Sequence, residues 1–208
     1  RSQLPCNCLL FLLQGSILLL KYIEPAESEE MKCVWEHNGD DTLLYAVDFV
    51  GAFTRGESLE TAMSKMPAEI AAYALWKGQV CGQTTNIEII QEKTCDLKIA
   101  DADSDVLFDS ERIPLTQQEY EELKALVLKS AGDFHALYSS IPDKHKSCLP
   151  QRRTFYGNVP RTAQEMYEHT KSVNSYYFSE IGIDADNEGT IYDCRVKGFE
   201  LLENTKDF

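Results

Sequence analysis

Residues 43–77 constrain the fold of this chain more than any other stretch. Side chains alternate over residues 43–48 with the two-residue period of a β-strand. Residues 32–36 predict a strand before it, and Asn38-Gly39 lies between the two. Because both of these residue types tolerate positive φ, the segment predicts a hairpin. Residues 52–55 predict a third short strand.

A long amphipathic helix follows these strands. Ser58 is placed to cap its first turn. Pro67 removes one backbone donor, so we expect a kink or a break there. Residues 84–91 predict a returning strand, which gives the order β-β-β-α-β. One buried helix face is predicted from side chains at helical spacing: Leu59, Ala62, Met63, Met66, Ile70 and Tyr73.

The junction between strand and helix resembles the HicB-type antitoxin domain. Members show D-x-P-G at the end of a strand and T-x-G-x-[ST]-L-x-E-A at the start of the helix. Asp48-Phe49-Val50-Gly51 and residues 54–62, TRGESLETA, match these motifs, although Val50 replaces the proline and Thr61 replaces an acid. The resemblance covers about residues 31–91. It implies a domain that neutralises a partner protein, with DNA binding carried by a separate segment that is not evident here.

The second half of the chain predicts helices. Two capping boxes, Thr116 with Glu119 and Thr162 with Glu165, each open one. Two helices of about 20 residues, joined by a polar loop, are typical of part of an antiparallel bundle. The first predicted apolar face comprises Tyr120, Leu123, Val127, Phe134, Leu137, Tyr138 and Ile141. The second comprises Met166, His169, Thr170, Val173, Tyr176, Tyr177 and Ile181.

This half is similar to the DinB-like family over about residues 116–208. The match lies in residues 136–143, in 161–169 (RTAQEMYEH), and in Tyr176-Tyr177. The resemblance implies a four-helix bundle whose metal site takes one histidine from the second helix and two from the last. His169 matches the first of these. Because the last helix is missing, the resemblance implies a divalent metal (Zn, Ni or Fe) in the intact protein and none in this chain alone.

Composition narrows the range of partners and compartments. The formal charge of −14 argues against binding to nucleic acid, which needs clustered Lys and Arg. The seven cysteines are scattered without C-x-x-C, which disfavours a zinc ribbon or a disulfide framework and favours the cytoplasm. The apolar run at residues 9–20 is too short to span a bilayer, so we expect no membrane partner. We interpret residues 1–30 as a non-native or mis-called leader.

Other motifs favour structural roles. Residues 101–105 and 184–189 resemble calcium loops but lack the required twelfth-position Glu, so both are interpreted as acidic linkers. His135 is expected at a solvated or boundary position of its helix. His37 and His145 are expected to be exposed in loops.

The sequence therefore predicts an α+β protein with a small β-β-β-α-β domain and part of an antiparallel helical bundle. Its segments are a leader (1–30), a HicB-like domain (31–100), an acidic linker (101–115) and a partial DinB-like bundle (116–208). Two functions compete. One is a metal-dependent enzyme acting on a small thiol or an electrophile, with His169 as a ligand. The other is an antitoxin-type regulatory module that binds a protein partner, or a second copy, through an edge of its sheet.

Overall fold

The structure, a computed structural model, describes residues 30–79, 86–96, 104, 106–147, 149–154 and 157–205. The chain divides into two compact units, with the boundary between Cys95 and Asp96. A mixed sheet with one helix forms the first unit, and helices dominate the second, which confirms the α+β prediction. The predicted leader lies outside the described residues except for Glu30.

The first unit follows the predicted order of elements. Its sheet has the strand order β3-β2-β1-β4, in which β4 runs parallel to β1 and the other neighbours are antiparallel. Gly39, at φ +61°, forms the tight turn between the first two strands. The elements are β1 (Met31–Asn38), β2 (Asp41–Ala46), β3 (Phe53–Gly56), α1 (Leu59–Trp76) and β4 (Ile87–Thr94).

The core of this unit lies between α1 and one face of the sheet. The hydroxyl of Ser58 accepts a hydrogen bond from the Thr61 N–H at 3.2 Å, so the predicted cap is confirmed. The helix packs mainly over β2 and β3. Side chains at alternate strand positions contact the inner face of the helix. The buried residues of this core are Met31, Cys33, Leu44, Ala46, Ala52, Ala62, Met66 and Ile70.

Three local predictions for this unit need correction. α1 continues through Pro67 without the break that was one of the two expectations, and Pro67 itself is exposed. A kink at Pro67 stays a prediction. The returning strand, Ile87–Thr94, ends three residues beyond its predicted end at residue 91. His37 belongs to β1 and is half-buried, whereas we expected an exposed loop residue.

The second unit contains three long helices. The two predicted capping boxes are present, and a third, formed by Thr190 and Asp193, opens a further helix. Asp109–Arg112 forms a 3-10 turn inside the predicted linker. The elements are α2 (Gln117–Ser140), β5 (Arg153–Thr154), β6 (Gly157–Asn158), α3 (Ala163–Glu180) and α4 (Ile191–Glu203).

The helices of this unit do not simply alternate in direction. Tyr120, near the start of α2, donates a hydrogen bond to Glu203 at the end of α4, so these two helices are antiparallel. Along α3, Tyr167 lies beside Ile191, and Phe178 packs against Phe199. α3 and α4 therefore run in the same direction, and residues 181–190 return along α3 to connect them.

The predicted inner face of α3 is wrong by one position. Tyr167, Asn174 and Phe178 are the buried residues, whereas Met166 and Tyr177 are 40% and 62% exposed. Asn174 explains the error, because a polar residue gives no hydrophobic signal although it is fully buried here. On α2, Leu137 and Val127 are likewise more exposed than expected, and Ala131 is the buried residue.

Close packing between α3 and α4 predicts the effect of Gly198→Ala. A Cβ at Gly198 would overlap the Phe178 ring, whereas a Cβ at Gly132 in α2 would meet only Tyr192 at 3.7 Å. Gly198→Ala should therefore lower the free energy of unfolding by about 1–3 kcal/mol. Gly132→Ala, the matched control, should raise it by about 0.5–1 kcal/mol. Urea unfolding followed by circular dichroism measures both, and two stabilised variants would contradict this packing.

The contact between α2 and α4 predicts a pH effect. A hydrogen bond from Lys124 and, to a smaller extent, one from Tyr120 lower the pKa of Glu203. Its contribution to stability is therefore present above about pH 4.3, the value of a free Glu, and is lost as the pH falls through the lower folded-state pKa. Glu203→Gln should lower the Tm at pH 7, and its difference from wild type should shrink below pH 4. Glu180→Gln on α3 is the control, and a difference that is independent of pH would refute the assignment.

Candidate functional site

His169, the metal ligand predicted from the family resemblance, lies on the exposed side of α3. The expectation that it points into the bundle is wrong, because the buried face of α3 passes through Tyr167 and Asn174 instead. Within the described ranges, no three His, Cys, Asp or Glu side chains form a group that could hold a metal ion. A metal role for His169 stays a prediction.

The outer edge of β4 is the longer of the two sheet edges in the described part of the first unit. Among the described strands, β4 pairs only with β1, and residues pointing to alternate sides follow its whole length. Glu88, Ile90 and Glu92 are exposed. The ladder with β1 shifts register after Ile89, so that Ile90 protrudes as an extra residue. We call this strand, with the groove below it, the β4 edge; the groove is lined by Trp35, Leu59, Ile89, Ile90, Gln91 and Glu92.

The opposite edge of the sheet, β3, is partly closed. Ala52 and Thr54 face β2, as the Ala46 N–H to Ala52 carbonyl bond shows, so Arg55 directs its backbone groups outward. The Lys65 ammonium donates a hydrogen bond of 2.6 Å to the Arg55 carbonyl, which points away from β2. A short strand whose edge is occupied by a lysine is a usual protection against strand addition. The β4 edge is therefore the better candidate for recognition.

His37 fastens the β4 edge to the central strand. Its ring stacks on Trp35 with centroids 4.1 Å apart. Nδ1 lies 3.1 Å from the Gly39 carbonyl and Nε2 lies 2.9 Å from a Glu92 carboxylate oxygen. Both neighbours are hydrogen-bond acceptors, so the imidazole ring lies between them as a donor. The pairing holds the carboxylate at the rim of the groove.

In the second unit, Tyr167 joins all three helices. Its hydroxyl lies 2.9 Å from Nδ1 of His135 on α2 and accepts the Ile191 N–H at the start of α4 at 3.0 Å. Tyr138 stacks on its ring at 4.0 Å. These bonds use the hydroxyl in holding the helices together, so the pair of His135 and Tyr167 is a structural junction. The sequence analysis missed Tyr167 because the predicted apolar face of this helix passes through Met166 and Thr170, which leaves Tyr167 outside that face.

The buried Asn174 and the half-buried Arg195 also support this unit. Arg195 donates to the Asn174 amide oxygen at 2.5 Å, and the Asn174 amide group donates to the Asp186 carbonyl at 2.9 Å. This pair ties the return segment to both helices. Burial lowers the pKa of Arg195 and raises that of Cys194.

The cysteines that the structure describes are unsuited to nucleophilic catalysis. Cys33, Cys95 and Cys194 are free and buried. Burial, with a smaller effect of Asp48, raises the pKa of Cys33 to about 12. The reactive thiolate is therefore scarce at neutral pH.

Comparison with protein-family models, with curated proteins and with solved structures finds no match to this chain. The resemblances to the HicB-type and DinB-like families thus rest on the motifs themselves. Among the described residues, no helix combines the length and the apolar character that crossing a bilayer requires.

The junction at Tyr167 predicts the effect of removing one oxygen. Tyr167→Phe keeps the ring stacking but leaves the buried Ile191 N–H without its acceptor. The free energy of unfolding should fall by about 1–3 kcal/mol. Tyr192→Phe, where the side chain is exposed on α4, should change it by less than about 0.5 kcal/mol. Urea unfolding of both variants tests this, and equal stabilities would mean that Tyr167 is not a junction.

Proposed function

We propose that this chain is a protein-binding module whose β4 edge accepts an extended, basic segment of a partner as an additional strand. The observation that carries the proposal is the contrast between the two sheet edges. Lys65 donates a hydrogen bond to a carbonyl of the four-residue strand β3, whereas β4 is eight residues long and presents the exposed side chains of Glu88, Ile90 and Glu92. Strand addition uses the backbone for affinity and alternate side-chain contacts for specificity.

The side chains of β4 favour a basic partner. Glu88 and Glu92 lie on either side of Ile90, and the Glu92 side chain is 56% exposed although it also contacts His37. Opposite charges on neighbouring strands contribute roughly 0.2–1 kcal/mol per pair. Ile90 and the groove beside Trp35 would receive apolar side chains of the added strand.

The same residues disfavour a homodimer through this edge. In an antiparallel pair centred on Ile90, Glu88 of one copy would lie opposite Glu92 of the other. Like charges opposite each other destabilise a sheet. The chain also carries a formal charge of −14, which opposes self-association at an acidic edge.

The motif at residues 48–62 supports a regulatory version of this proposal. It resembles a domain that neutralises a partner protein, and an antitoxin-type role needs a recognition surface rather than a catalytic centre. A cytoplasmic location is part of the proposal. The free and buried state of Cys33, Cys95 and Cys194 supports it, since such thiols are usual in a reducing compartment.

Binding of model strands tests the proposal. A short peptide that alternates lysine and valine should perturb the amide resonances of residues 87–94. The same peptide with glutamate for lysine should bind at least about tenfold more weakly, because two favourable charge pairs become repulsive. A lysine-valine peptide with alternate amides N-methylated should not bind, because it cannot complete the ladder.

Matched variants locate the binding edge. Glu88→Lys should weaken binding of the lysine-valine peptide. Glu69→Lys, which makes the same charge change beside β3, should leave that binding unchanged. Binding of the N-methylated peptide with equal affinity, or perturbations centred on β3, would overturn strand addition at β4.

A further inference from the structure

The connection between α2 and α3 is long for a link between two packed helices. It covers residues 141–162, whereas helix connections in bundles usually take about 2–8 residues. A connection of more than about 12–15 residues is uncommon, and an ordered one usually carries a function. The packing of the helices does not by itself explain the length of this one.

The sequence of this connection is basic although the chain is acidic. Residues 144–164 contain five lysines and arginines and no aspartate or glutamate, in a chain with a formal charge of −14. The flanking acids, Asp143 and Glu165, each accept a backbone N–H at one end of the stretch. We call its described part, residues 144–147, 149–154 and 157–161, the basic loop.

Hydrogen bonds fix the backbone of the basic loop. The Arg161 guanidinium donates to the Leu149 carbonyl through Nε at 3.1 Å and through Nη2 at 3.0 Å. The Arg152 carbonyl accepts the Val159 N–H at 3.0 Å, next to the paired strands β5 and β6. A backbone that is fixed before binding lowers the entropy cost of receiving a partner.

Some bases of the loop stabilise the fold, whereas others face solvent. Arg161 is engaged as described above, and the Lys144 ammonium donates to the Ile141 carbonyl at 2.9 Å. Lys146 and Arg153 are exposed, and no described side chain makes a hydrogen bond or an ion pair with either. Ammonium and guanidinium groups form charge-assisted hydrogen bonds with carboxylates, so both remain available to an anionic partner.

An apolar side chain belongs to the same loop. Leu149 is 45% exposed, although its carbonyl holds Arg161. An acidic peptide offers aliphatic side chains as well as carboxylates. Nucleic acid offers closely spaced phosphates, which the acidic remainder of this chain repels. Cations beside an exposed leucine therefore favour a peptide.

From these observations we infer that the basic loop binds an acidic segment of a partner protein, one that carries both carboxylate and aliphatic side chains. The carboxylates bond to Lys146 and Arg153, and Leu149 receives an aliphatic side chain. The basic loop belongs to the second unit and prefers the opposite charge from the β4 edge. Either proposal can therefore fail without the other.

Fluorescence anisotropy with a short labelled peptide of glutamate, leucine and serine tests the inference on the full chain. The peptide should bind, and added salt should weaken binding because the main contacts join opposite charges. The same peptide with glutamine for glutamate should bind at least about tenfold more weakly, since it loses the charge-assisted bonds. A peptide with serine for leucine should also bind more weakly.

Charge reversal with a matched control locates the site. Lys146→Glu and Arg153→Glu should each weaken binding of the glutamate peptide by about three- to tenfold, because each replaces an attraction at the surface by a repulsion. Lys129→Glu, on α2, makes the same change in formal charge and should leave binding unchanged. Circular dichroism checks that each variant is folded.

Three results would overturn the inference. The first is equal binding of the glutamate and glutamine peptides, or of neither. The second is an equal loss of binding in Lys129→Glu, which would reflect the overall charge of the chain rather than the loop. The third is tighter binding of a single-stranded oligonucleotide of the same charge, which would assign the loop to nucleic acid. None of them bears on the basic peptides at β4.

Discussion

A single hydroxyl group holds the second unit in register. Tyr167 accepts the first backbone N–H of α4 while contacting His135 on α2 and carrying the stacked ring of Tyr138. The start of a helix leaves several N–H groups without intrahelical partners, and burial makes each of them costly. By satisfying one of them from another helix, Tyr167 fixes where α4 begins. The position of α4 in turn decides which face of α3 is covered.

The first unit depends on its central strand in a comparable way. β1 pairs antiparallel with β2 and parallel with β4, so it carries the only described strand pairing of β4. The stack of Trp35 and His37 extends this link to Glu92. The β4 edge therefore has a fixed position, and a rigid edge loses little entropy when it accepts a further strand.

Local signals in the sequence predicted local structure well. Ser58 and the capping boxes at Thr116 and Thr162 are confirmed, because a cap involves side chains within one turn of the helix. The order β-β-β-α-β was predictable for the same reason. The parallel place of β4 beside β1 is a tertiary feature and left no trace in local spacing.

The candidate sites were less predictable because they depend on which face of a helix finds a partner. Asn174 is buried through its bond to Arg195, which lies 21 residues away in the chain. A prediction from hydrophobic spacing assigns such an amide side chain to the solvent-exposed face of its helix. The same misassignment turned His169 inward and hid Tyr167. The stripe through Met166 and Tyr177 has helical spacing, but these two residues stay 40% and 62% exposed because the covered face of α3 lies one position further along.

The shared direction of α3 and α4 has a consequence for how the chain is made. The start of α2 has its partner in Glu203, 83 residues later in the chain. At translation rates of about 5–20 residues per second, that partner emerges roughly 4–17 s after α2 does. Helices form and melt in about a microsecond, so α2 samples its helical state many times before Glu203 emerges. The capping box at Thr116, which needs no other part of the chain, favours the helical state during that interval.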